Sequence, residues 1–184
     1  MKKLILIVTL ISSIFVMAQK EDKLPYHEIP EYTENYSAGT VASRMIDGLG
    51  FRYFWATDGI REEDLNYRPS ESGRSCEETI DHIFWLSNVI RNSISLEKSE
   101  DKIKELSFDE KRRQTLLNFK EVSDILKTTE DISKFDNEKF PFWNLINGPI
   151  SDAIWHCGQV VMLRRVSGNP FNSKVSLFAG KLRE

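Results

Sequence analysis

Two stretches of this chain place a serine directly before an apolar-periodic run and a glutamate three residues after that serine: Ser75-Cys76-Glu77-Glu78 and Ser107-Phe108-Asp109-Glu110. At that spacing the serine hydroxyl and the glutamate carboxylate can each satisfy a backbone N–H that the first turn of a helix leaves unpaired. Both stretches therefore predict helix starts. Thr79, Ile83, Leu86, Val89, Ile90 and Ile94 then share one face of a helix carried to about Lys98. Leu116, Phe119, Val122, Ile125 and Leu126 share one face of another, ending near Thr129.

Two further helices are predicted without such boxes. Val41, Met45, Ile46, Leu49, Tyr53 and Ala56 recur at helical spacing over residues 38–58, until Asp58-Gly59 stops them. Gly48 and Gly50 inside that run cost about 1 kcal/mol each against alanine, which close packing on a neighbouring helix would justify. Gly148-Pro149 reads as a fourth start, because proline suits the first helical position, and Gly168-Asn169-Pro170 as its end. Between these elements lie a connector with a short helical turn at Arg61 to Leu65 and a long aromatic loop over residues 130–147. No run alternates as a strand. The expected fold is all-α, a four-helix bundle with long connecting loops over residues 37–184.

The opening eighteen residues, MKKLILIVTLISSIFVMA, carry two lysines, a short apolar run and small residues near its end, the pattern of a secretory signal peptide. Export to the periplasm or beyond is expected, with no stable membrane span once residues 1–18 are removed. Residues 19–36 form an extended lead-in with two prolines, where His27 reads as a surface-loop histidine. The net charge is −3 at pH 7, and loss of Lys2 and Lys3 makes it more negative. With charges interspersed and no basic run, nucleic acid is excluded as a partner.

The residues with chemistry sit on two of the helices. His82 lies on or beside the stripe of the second, and Asp152, His156, Val160 and Leu163 share what reads as the inward face of the fourth. Three heads converging from two helices would form a two-histidine, one-carboxylate metal site with coordination positions left open. Zinc or nickel would suit it, and manganese or ferrous iron are alternatives, so spacing does not name the ion. Each residue also has a plainer role: Asp152 as a carboxylate in a first turn, complementing the helix dipole, and either histidine as a hydrogen-bonded, half-buried side chain. On that second reading the chain is a metal-free helical bundle that binds a small molecule or a protein partner.

His82, together with His156-Cys157-Gly158-Gln159 in DAIWHCGQVVMLRRVSGNP, resembles the DinB-like (DinB/YfiT-like) superfamily of metal-binding four-helix bundles. That family has one histidine in helix two and a His-x-x-x-His pair followed by x-Gly-Gln on helix four. Asp152 stands where the first histidine of the pair usually does. The resemblance spans roughly Ser37 to Pro170. It implies a divalent metal held by His82, Asp152 and His156, and either a thiol-dependent transferase or an enzyme of unassigned reaction. Because low-molecular-weight thiol pools are cytoplasmic, the signal peptide turns the expectation toward a metal-dependent hydrolase on a small-molecule substrate that the sequence does not specify. Association into a homodimer is compatible with the sequence but not specified by it.

The same site bears on the cysteines. If His82 and His156 share a metal, Cys76 lies six residues, or about 9 Å, below that level along its helix, too far to bridge Cys157 without distortion. Cys157 then reads as a small core residue. Trp85, Phe142, Trp143 and Trp155 read as core or interface, with a pocket wall as the alternative. Arg164 and Arg165 are expected to pair with acids, and Gln159 to serve a structural hydrogen bond.

Overall fold

Both boxes close as their spacing predicts. The Ser75 hydroxyl accepts from the Glu78 N–H at 3.1 Å while the Glu78 carboxylate accepts from the Ser75 N–H at 2.9 Å. Ser107 and Glu110 make the same exchange, at 3.4 and 2.7 Å. The computed structural model describes residues 23–96, 106–137 and 140–184, so the expected signal peptide lies outside the described residues, as does Lys98.

The chain is mostly helical. Helix α1 spans Ala38–Thr57, α2 Glu62–Asn66, α3 Cys76–Ile94 and α4 Phe108–Lys127. A 3-10 turn at Ile132–Phe135 follows, then α5 (Phe142–Leu145), a π-helical turn (Ile146–Ile150) and α6 (Ser151–Val166). The last three are continuous, since Ile146 and Ser151 both keep right-handed helical dihedrals. The fourth helix thus begins before Pro149, inside the stretch expected to be loop, and Pro149 sits within a turn widened around it. A proline ring clashes with the carbonyl four residues back and offers no N–H, and a wider turn accommodates both defects. The tail is not wholly irregular either: β1 (Val175–Ser176) pairs antiparallel with β2 (Lys181–Leu182). Among the described residues no helix is long and apolar enough to cross a membrane.

Among the described residues, α1, α3, α4 and α6 contribute to a common core that includes Ile46, Leu49, Phe51, Tyr53, Ile80, Ile83, Ile90, Leu116, Phe119 and Val160, all fully buried. Helix α1 packs on α4 and α6, and α3 on the same two, so α1 and α3 stand at opposite corners. Side-chain register gives the directions. Ser43 meets Ser123 while Thr57 meets Arg112, so α1 and α4 are antiparallel. Lys111 meets Asp81 and Glu121 meets Arg91, both at 2.6 Å, so α3 and α4 are parallel.

Several polar groups inside this core are paired across helices. Asn118 donates to Ser87 and Asn88 at 3.0 and 2.8 Å, and Ser123 donates to the buried Asp47 carboxylate at 2.6 Å. Arg164, expected to meet acids, is instead buried against the end of α1. Its guanidinium donates to the carbonyls of Ala56 and Asp58 at 3.0 and 2.8 Å, and to Asn169 O at 2.8 Å. It thereby satisfies acceptors that the last turn of a helix leaves open. Gly50 is tightly packed, but against the lead-in rather than a helix: an added Cβ would lie 2.5 Å from the Tyr26 ring.

Candidate metal centre

Helix α3 buries Thr79, Ile80, Ile83 and Leu86, and His82 lies beside that stripe, half-buried. On α6 the buried face is Ala153, Cys157, Val160 and Arg164. Asp152 and His156 are therefore one position round from the core, in the seam between α6 and α3, and not on the inward stripe that the sequence suggests. The seam explains how a carboxylate can sit there: the Asp152 side chain keeps 44% of its exposure, whereas that of His156 keeps 12%.

Antiparallel packing of α3 and α6 brings the three heads together. Asp152 spans two imidazoles, with Oδ2 3.2 Å from His82 Nε2 and Oδ1 3.3 Å from His156 Nε2. The rings stand perpendicular with centroids 4.7 Å apart, and one ligand atom from each residue lies within 4.8 Å of the others. The structure thus joins all three residues proposed from the sequence into a group that could hold a metal ion.

Neighbours fix the two rings. His156 Nδ1 lies 2.7 Å from Gln159 Oε1. An amide oxygen only accepts, so Nδ1 carries the proton and, in the neutral ring, Nε2 is a bare lone pair. That lone pair faces the Asp152 carboxylate, itself an acceptor, across 3.3 Å. A proton on either group, or a metal ion held by both, relieves the repulsion between two such lone pairs. The residues present therefore fit a metal. Hydrogen bonding at the far nitrogen is the usual way a ligating histidine is oriented. His82 is held differently, stacked on Trp85 with centroids 5.7 Å apart and planes within 12°. The sequence offers the Gln159 contact as an i, i+3 spacing from His156; the Trp85 stack, also at i, i+3, reads there only as apolar.

Other residues singled out by the sequence fall elsewhere. Cys76 and Cys157 are buried and free, and burial pushes their thiols up to about 11 and about 12. Such thiols are neutral near pH 7 and serve as packing. Phe142 is buried, but Trp143 and Trp155 are 69% and 72% exposed, so they are not core. His27 is partly covered, packed against Phe54 and Trp55. No family model, curated protein or solved structure matches the chain.

Proposed function

We propose that this protein is an exported DinB-like four-helix bundle that binds one divalent metal through His82, Asp152 and His156 and acts as a metal-dependent enzyme, of hydrolase or transferase type, on a small molecule. The observation that carries the reading is the pair of acceptors, His156 Nε2 and Asp152 Oδ1, facing each other at 3.3 Å with the far ring nitrogen already committed to Gln159. Zinc and nickel are the first candidates, since imidazole with one carboxylate suits both. A divalent ion bound there supplies Lewis-acid polarisation to an oxygen or sulfur of a substrate. The chain's own contribution is orientation: Gln159 selects the tautomer of His156, Trp85 sets the plane of His82, and Asp152 draws the two rings to one point.

A second reading rests on the same geometry. A proton shared between His156 Nε2 and Asp152 would satisfy both groups without a metal, and the chain would then serve as a binding module. Elemental analysis and zinc and nickel titrations of protein purified without added metal separate the two. The metal reading expects one equivalent, lost in His156→Ala and weakened about 10- to 100-fold in Gln159→Leu. Substoichiometric metal that ignores both substitutions would favour the binding module.

A further inference from the structure

A cleft of about 600 Å³ opens beside His156, toward the start of α3, lined by Pro69, Arg74, Thr79, Trp155, Gln159 and Met162 among others. Its walls are chemically divided. Trp155 and Met162 present exposed apolar surface on α6, while Arg74, in the connector just before α3, supplies a cation. Among the described residues Arg74 makes no hydrogen bond or ion pair. The neighbouring Glu78 carboxylate feels the Arg74 charge through space, but its hydrogen bonds go to Arg68 at 2.6 Å and to the Ser75 N–H at 2.9 Å. A guanidinium free of hydrogen bonds in an apolar-walled cleft whose lining also includes His156 defines the shape of a ligand.

We infer that this cleft takes a small carboxylate with an apolar body: the carboxylate on Arg74, the body against Trp155 and Met162, and the other end at the three-residue centre. From the start of α3 at Cys76 to His82 is six residues, about 9 Å along the helix axis, and Arg74 lies beyond that start, so the ligand is of medium chain length. A guanidinium pairs with either a carboxylate or a phosphate. The cleft lining offers one guanidinium, which matches a single negative charge, whereas a phosphomonoester carries about −1.5 to −2 and calls for a second cation. Placement of the far end rests on the metal reading; the carboxylate pocket does not.

The test is calorimetric titration of metal-free and zinc-loaded protein with n-octanoate and, as its neutral counterpart, n-octanol. The metal-free protein is expected to bind octanoate at least tenfold more tightly than octanol. Arg74→Gln should erase that preference, and Trp155→Ala should weaken both probes. Both side chains are exposed, so neither change threatens the fold, and circular dichroism checks this. Equal affinity for the two probes, a preference that survives Arg74→Gln, or indifference of both probes to Trp155→Ala overturns the inference. Zinc titration of Arg74→Gln keeps the two readings apart, because Arg74 is not a ligand and one equivalent should still bind. Octanoate selectivity without zinc binding would sink the metal reading and leave the cleft, and zinc binding without selectivity would do the reverse.

Discussion

At the scale of single residues, Asp64 joins one partner three positions away, Arg61, to two from the far end of the chain, Ser167 and Asn169. Its side chain is fully buried and accepts from Arg61, Ser167 and Asn169, and these bonds, Arg61 foremost, hold its carboxyl well below the ordinary carboxylate range. A depressed carboxylate contributes stability that is complete above its unfolded value near 4 and fades as the pH falls below it. Asp64→Asn should therefore cost about 2 to 3 kcal/mol at pH 7, discounted from a fully buried pair because Arg61 is half exposed. In urea melts that cost should shrink steadily below about pH 4; a cost equal at pH 7 and pH 3 would contradict the assignment. His156 forms the complementary case, since its spacing to Asp152 and Gln159 is written in the sequence while the approach of His82 from α3 is not.

Elements were legible where local chemistry decides them. Each Ser-x-x-Glu box marks a true start, yet the two should differ in weight. Ser75 is buried and its partner Glu78 is also tied to Arg68, whereas the Ser107 box is exposed. Ser75→Ala should lower stability by about 1 kcal/mol, with a fall of a few degrees in Tm, and Ser107→Ala by less. Thermal melts of the two variants that came out reversed would refute this ranking. Helix α6 was harder to read. It carries apolar residues on several faces, with Trp155, Met162 and Val166 exposed alongside buried Cys157 and Val160. A stripe cannot be assigned uniquely from such a pattern, and the inward face was read one position off. The π-helical turn at Ile146–Ile150 was hidden for a related reason: proline suggests a first turn unless the preceding residues are held helical by packing, as buried Phe142 and Leu145 are.

At the scale of the molecule, packing decides what local rules leave open. The lead-in is clamped to the helices by Tyr26, whose ring lies where a Cβ on Gly50 would go, while Ile29 N donates to Gly180 O at 2.8 Å. Gly50→Ala should therefore destabilise by about 1 to 3 kcal/mol in chemical denaturation, although alanine is the better helix former. In a Tyr26→Ala background the sign should reverse, because only the propensity gain, up to about 1 kcal/mol, is left. Additive effects of the two substitutions would show that the ring is not what Gly50 accommodates.

The sequence by itself determined the helical class, the starts of α3 and α4, and the identity of the three residues in the seam, because capping chemistry and 3.6-residue spacing act within a few positions of the chain. Only the tertiary structure decided that α3 and α4 run parallel, that α1 and α3 stand at opposite corners, that Arg164 closes the end of α1, and that Asp152 reaches two imidazoles 70 and four residues away. Those outcomes depend on which faces meet across the core, and a helix that is apolar on several sides leaves that choice to its neighbours.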